Sequence, residues 1–436
     1  MKVRSFVVDN LVVIIFLSFT LLGFLVAEGV PLVFFLNELI DRVFRNFFLV
    51  LSLIIPVIAG LGLNFGIVVG AMVGQLSIIF VRYHALSPTI AGLDPNPVFG
   101  GLSGLLLCFL LSTPLAMFCG WLTGKLFNRV RGQETIASLI VGFFATGIYL
   151  FILLFAVGII IPVAEAHPLI KFDNIGVRMS VDLGFLDEGG MKFALDNIIR
   201  VPPVYLLLAA MLATIALLAG KRVLDIKRKN PLIASPLRFG INIAICIIGL
   251  IISVVSILTN NDLMWLRGVP LVTAIVLVAL CLFLQFLTKT KLGQDFRSVG
   301  QNQHIAEVSG INVDRTRIIA TMFSTVLAAW GMIIFLQNMG TMATYDSFRN
   351  IGMFSVAALL VGGASTSRAS LKNAIVGALL FNSMTIISPE LGRAVFGSPE
   401  AGEFFRSFMV YGCIGLALGI FVWKQHKEEK QKLSLD

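Results

Sequence analysis

The chain has 436 residues, 57% of them hydrophobic and only 13% charged, with a mean hydropathy of +0.94, against roughly 25% charged residues in a soluble globular protein. A soluble enzyme is excluded, and so is a transmembrane β-barrel, whose strands alternate apolar and polar over about ten residues; Val272 to Leu284 is apolar on every face. The 33 Lys and Arg against 24 Asp and Glu, a net charge of +9, therefore read as membrane topology and not as a nucleic-acid surface: the fold class is all-α, a polytopic membrane helical bundle in the lipid bilayer with about ten to twelve hydrophobic segments.

Leu11 to Ala27 follows Lys2 and Arg4 and reads as an uncleaved first helix, because no small-x-small cleavage site follows it. Between the first two spans, Pro31 to Phe48 sets Glu38, Asp41, Arg42 and Arg45 on one helical face and Leu39, Ile40, Val43 and Phe44 on the other, the pattern of a helix lying in the membrane interface. A simple helical continuation of a span competes with this reading, but places four charges in hydrocarbon. Residues 1–46 are thus taken as an N-terminal span and interfacial helix, 47–423 as the transmembrane domain, and 424–436 as a charged tail.

Further spans begin near Phe47, Phe65, Leu102, Thr135, Val204, Ile241, Leu271, Ile318, Ile351, Ala374 and Phe408, some short enough to be half-helices. With the N-terminus in the cytoplasm, the basic loops Lys125 to Arg131, Lys221 to Arg238, Lys289 to Arg317 and the tail from Lys424 all fall on the cytoplasmic side. The C-terminus is then cytoplasmic as well. The opposite side receives an outer loop over 163–202, long enough to fold and to meet a soluble partner, or to serve as a passive connection.

Coupling to an ion gradient is disfavoured, since the spans hold almost no ionisable residue; Glu134, at a helix start, is the nearest case. The closest approach to a phosphate-binding loop, Gly120 to Lys125, is one residue too short and is followed by Leu126. The five cysteines, Cys108, Cys119, Cys246, Cys281 and Cys413, lie in apolar stretches without metal spacing. No catalytic or metal-ligating set emerges, and no cofactor is expected on this chain.

The loop 288–317 is the most informative segment. It is polar and glycine-punctuated, and far longer than the 2–8 residues usual between bundle helices. Gln303 to Ser309 can form a short helix closed by Gly310 as its C-terminal cap. Its residues Leu292, Gly293, Arg297, Val299, Gly300, Asn302, Ala306, Ser309, Gly310, Ile311, Asn312 and Val313 match the pattern L-G-x-x-x-R-A-V-G-x-N-x-x-A-A-x-x-S-G-I-N-V, departing at Ser298 and Ile305. The chain thereby resembles the permease subunits of bacterial ABC importers for ribose, nucleosides and branched-chain amino acids. Val69 to Leu76 and Arg131 to Leu139 are similar to stretches of nucleoside-type permeases, and Ala357 to Ser365 to the sugar-type version.

That resemblance implies a type II importer-like permease in a bacterial cytoplasmic (inner) membrane. Its implied partners are a second permease subunit, identical or not, two cytoplasmic ABC ATPase domains that carry ATP and Mg, and an extracytoplasmic substrate-binding protein. It assigns Gly300, Gln301, Asn302, His304, Ala306, Glu307, Ser309, Gly310, Ile311 and Asn312 to ATPase coupling. For the substrate pathway the candidates are Asn64, Phe65, Gln75, Ser77, Gln285, Trp330, Asn338 and Asn382, because amides offer a neutral solute both donor and acceptor; such residues serve equally to hydrogen-bond helix to helix. The implied solute is a nucleoside or simple sugar. A passive channel or facilitator, or a membrane scaffold without transport, would do without the coupling loop.

Overall fold

The computed structural model describes residues 11–26, 31–86, 99–164, 167–185, 190–227, 236–259, 266–365, 368–398, 400–412, 414–416 and 419. The charged tail, Cys413 and parts of the expected loops near His84 to Phe99 and Asn260 to Arg267 lie outside them.

Helices dominate in chain order: α1 (Leu11–Val26), α2 (Leu32–Ser52), the short α3 (Ile54–Ile58), α4 (Ile67–Leu86), α5 (Gly101–Arg129) and α6 (Glu134–Phe151). After the strands β1 (Ser180–Asp182) and β2 (Arg200–Val201) come α7 (Pro203–Lys227), α8 (Pro236–Thr259), β3 (Val269–Pro270) and α9 (Leu271–Leu287). The chain ends with α10 (Lys291–Gln301), α11 (Gln303–Val308), α12 (Val313–Met339), β4 (Thr341–Ala343), α13 (Arg349–Val361), α14 (Leu371–Phe396) and a helical stretch over 400–412.

The protein is a polytopic helical bundle. Among the described residues, six helical spans are individually long and apolar enough to cross a membrane, and α9 with α10, bent by 71°, can act as a seventh. The apolar helices α1 and α13 are shorter, as the half-helix reading of some segments expects.

At the centre lies α12, packed against α4, α5 and α2. Small residues allow that approach: a Cβ on Gly70 or Gly74 of α4 would stand 2.4 Å from the carbonyl oxygen of Thr325 or Ala329, and one on Gly124 of α5 would stand 2.9 Å from the Ile318 Cα. Without a hydrophobic force between helices in lipid, such close backbone contact supplies the packing energy.

Two expected segments take definite form. Leu32–Ser52 is one unbroken helix that runs through the expected start of a span near Phe47. Three of its four charges are matched, Arg42 Nε lying 3.1 Å from Glu38 Oε2 and Arg267 Nη1 3.1 Å from Asp41 Oδ2, while Arg45 borders a cavity.

The 163–202 loop, for its part, is not a passive connection. It is stitched to the bundle by two antiparallel pairs, β1 with β4 (Ser180 opposite Ala343) and β2 with β3 (Val201 opposite Val269), and buries Leu169, Val177, Val181, Leu183 and Met191. Both pairs sit at the end of the bundle opposite α11, called here the strand-bearing end.

Candidate functional site

At the other end, three side-chain caps define the loop between α9 and α12. Thr290 Oγ1 accepts from Gly293 N at 3.4 Å, Asn302 Oδ1 from Ile305 N at 3.1 Å, and Asn312 Oδ1 from Arg315 N at 2.9 Å. Each satisfies a free N–H at a helix start. Gly310, at φ +83°, closes α11, with its own N–H on Glu307 O and that of Ile311 on Ala306 O, both at 3.0 Å. That is the left-handed glycine stop of a helix.

Ala306 is buried against Val299, Val313 and Ile311, so α11 is fixed by one face. The other face is open: Gln301, His304, Glu307 and Ser309 are exposed, and Ile305 and Val308 leave 63% and 77% of their surface uncovered. Ile305 and Val308 thus form a small apolar knob on a short helix capped at both ends. Ile305 and Val308 are absent from the candidates that the sequence suggested, although their spacing on the α11 face was visible in it.

The knob is tied to the rest of the bundle at two places. Gly300, at the end of α10, lies against the turn after α3, where a Cβ would come 2.1 Å from Ile58 O and 3.0 Å from Gly60 N. The start of α12 is joined to the α5–α6 connection: Asn128 Nδ2 donates to Asp314 O at 2.9 Å and Arg131 Nη2 pairs with Asp314 Oδ1 at 2.6 Å. One turn further on, the fully buried Arg317 donates to Glu134 Oε1 at 2.5 Å and to Phe127 O at 3.1 Å. Of the expected coupling set, Gly300, Asn302, Ala306, Gly310 and Asn312 therefore shape the loop, while Gln301, His304 and Glu307 present side chains outward. Arg317 was not among the candidates; only its place after a polar loop hinted at it.

A polar cavity of about 610 Å³ lies between α2, the end of α12, α13, α14 and the 400–412 stretch. Arg42, Arg45 and Asn46 reach it from α2, Asn350 and Phe354 from α13, Asn382 from α14, and Tyr411 from the last helix. Asn46 Nδ2 donates to Asn382 Oδ1 at 2.8 Å, and Asn382 Nδ2 to Ala378 O at 2.7 Å. Met339, Ala343 and Asp346 also border it, placing it toward the strand-bearing end.

Of the eight pathway candidates, Asn382 alone lines this cavity. Asn64 shapes the turn before α4 by accepting from Gly66 N at 2.9 Å, and Phe65 donates its backbone N–H to Ser138 Oγ at 3.0 Å. Gln75 is buried and donates to the carbonyls of Ala343 and Thr344 at 3.1 and 2.9 Å, tying α4 to β4. Ser77 bonds within its own helix to Val73 O and borders a different, largely apolar cavity of about 600 Å³.

Trp330 Nε1 donates to Thr113 Oγ1 at 3.0 Å, joining α12 to α5, and Gln285 is exposed on α9. Asn338 donates at 2.6 Å to Asp196, a fully buried carboxylate that also accepts from Thr273 Oγ1 at 2.5 Å. Asp196, like Arg45, was not among the candidates. Among the described residues no group of three or more His, Cys, Asp or Glu side chains could hold a metal ion.

The helices long and apolar enough to cross a membrane define a polytopic membrane protein. The chain belongs to the family described as branched-chain amino acid transport system / permease component, whose model matches residues 190–414, just over half of it. It is 30% identical over 165 residues to a xylose transport system permease protein of Haemophilus influenzae, covering 37% of this chain and 41% of that one.

A nucleoside ABC transporter permease protein of Lactococcus lactis is 29% identical over 157 residues (36% and 47%), and a tyrosine transport system permease protein of Clostridioides difficile is 27% identical over 150 residues (34% and 43%). The matches span less than half the length of these relatives. No solved structure matches the chain.

Proposed function

We propose that this chain is the permease subunit of an ATP-driven ABC importer in a bacterial inner membrane, moving a nucleoside or simple sugar into the cytoplasm. The observation that carries the reading is α11, a short helix capped at both ends, anchored by Ala306 and exposing Ile305 and Val308. Such a helix suits the groove of a cytoplasmic ATPase domain, which would hold the ATP and Mg.

In this reading both termini are cytoplasmic, the strand-bearing end faces outward toward a substrate-binding protein, and the pathway is completed by a second permease subunit. The cavity supports it as well, because its amides and hydroxyl can exchange the hydrogen bonds a polar solute leaves behind in water. The relatives' names include xylose and nucleosides, beside one that names tyrosine.

Motion imposed on α11 would pass through Gly300 to the α3 turn and through Asp314 and Arg317 to α6. The chain itself is read as the moving gate and not as an enzyme.

The test is uptake into proteoliposomes that contain the chain with its neighbouring ATPase and binding protein, native against an Ala306→Glu, Gly310→Pro double variant. ATP-dependent uptake lost in the variant is the expected result. Flux that runs down a gradient and ignores both ATP and the variant would overturn the reading in favour of a passive facilitator.

A further inference from the structure

Of the five charged side chains that line the polar cavity, four sit in ion pairs and one does not. Arg42 pairs with Glu38, Arg406 with Glu403 at 2.7 Å, and Asp346 with Arg349 at 3.6 Å. Among the described residues no carboxylate lies within ion-pair distance of Arg45.

Its guanidinium is instead held between soft groups: Nη1 donates to the Met339 sulfur at 2.9 Å, and the guanidinium carbon stands 5.5 Å from the centre of the Phe335 ring. Nε is buried without a hydrogen-bond partner. A cation held in place but short of acceptors is costly, and a guanidinium presents its donors as a planar fork that fits two adjacent oxygens.

One helical position on, Asn46 bonds to Asn382 across the cavity. The Asn46 amide keeps its carbonyl oxygen and a second N–H for another partner.

We propose that Arg45, with the Asn46–Asn382 pair beside it, is the solute-recognition subsite of this permease, and that the solute seats two adjacent oxygens on the Arg45 fork. This rests on the reading of the chain as a solute pathway. A carboxylate and a vicinal diol share the required chemistry; a solute with a cationic group at that point is repelled.

The subsite lies within one subunit, near Met339 and Ala343 toward the strand-bearing end.

The permease alone, in nanodiscs, is examined by saturation-transfer NMR with D-xylose, uridine and L-tyrosine at millimolar concentration. The native chain gives transfer to at least one probe, strongest at protons next to its paired oxygens, and Arg45→Gln reduces it at least fivefold. Arg45→Lys keeps the charge and loses the fork, so it restores transfer to tyrosine if the carboxylate is the recognised group and leaves xylose and uridine unbound if the diol is.

Should Arg45→Gln fail to fold, Asn46→Leu replaces it with the same expected loss. Equal transfer in native and variant, or none from any probe to the native chain, overturns the subsite. The proteoliposome assay separates this from the importer reading: flux without ATP dependence would sink the importer and leave an Arg45-dependent subsite standing.

Discussion

Arg317 and Glu134, 183 residues apart in sequence, form a buried ion pair at 2.5 Å where α12, the helix that follows α11, meets the start of α6. Neither side chain is more than marginally exposed, and Nε and Nη1 of Arg317 have no partner of their own. The pair, with Arg131 and Asp314 at its solvent side, makes α12 and α6 a unit.

Breaking that pair from one side leaves an uncompensated buried charge, at a cost of about 3–5 kcal/mol. Arg317→Met and Glu134→Gln are each expected to lower the thermal unfolding temperature of the protein in nanodiscs. The double variant is expected to recover a large part of the loss, because no charge is then stranded. Equal, additive losses in the double variant would show that the two side chains do not act together.

Ile305→Asp and Val308→Asp should separate docking from folding. Both positions are exposed and touch no core, so stability is expected to stay within about 0.5 kcal/mol of native. Association with the ATPase, followed by pull-down from detergent, is expected to fall steeply. Ala306→Glu differs, since it places a charge in the small core with Val299 and Val313, and is expected to lower both.

The capped helix α11 was legible in the sequence because caps are local: Asn302 and Asn312 act on residues three positions away, and Gly310 acts on its own backbone. The cavity was not. An amphipathic pattern such as Glu38 to Arg45 is the same whether its polar face meets lipid headgroups or borders a cavity between helices. Gln75 and Asn338 read as pathway amides for a similar reason, their partners being Thr344, 269 residues away, and Asp196, 142 residues away. Strands of two or three residues, like β1 to β4, are too short to leave a periodic signal.

Glycines at the α4–α12 contact make a third prediction. Gly70→Val and Gly74→Val would each force side-chain carbon toward a carbonyl oxygen already 2.4 Å from the Cβ position, and neither backbone can give way cheaply. Overpacking of this kind costs about 1–3 kcal/mol. Gly147→Ala on α6 meets nothing within 4 Å and is expected to be neutral or mildly stabilising, since alanine favours helix over glycine by about 1 kcal/mol. Unfolding temperatures of the three variants check the contrast.

The last prediction concerns pH and the docked 163–202 segment. His167 lies between Tyr83 and the following backbone: its Nδ1 accepts from Leu169 N at 3.2 Å, which fixes the proton on Nε2, and Nε2 donates to Tyr83 O at 3.0 Å. Burial pulls the imidazole below its ordinary range; the bond to the Tyr83 carbonyl opposes that, and His84 adds to it. A histidine whose docked pKa is depressed binds protons more readily when undocked, so docking is strongest above the ordinary histidine value of about 6.5 and weakens as pH falls below it toward the docked value. Protonation at Nδ1 would also set two N–H groups against each other at Leu169. Hydrogen-exchange protection factors for residues 167–178, corrected for intrinsic rates, are therefore expected to be lower at pH 5.5 than at pH 7.5. His167→Gln, which does not titrate, should remove the pH dependence; protection that still fell with pH in that variant would place the sensor elsewhere.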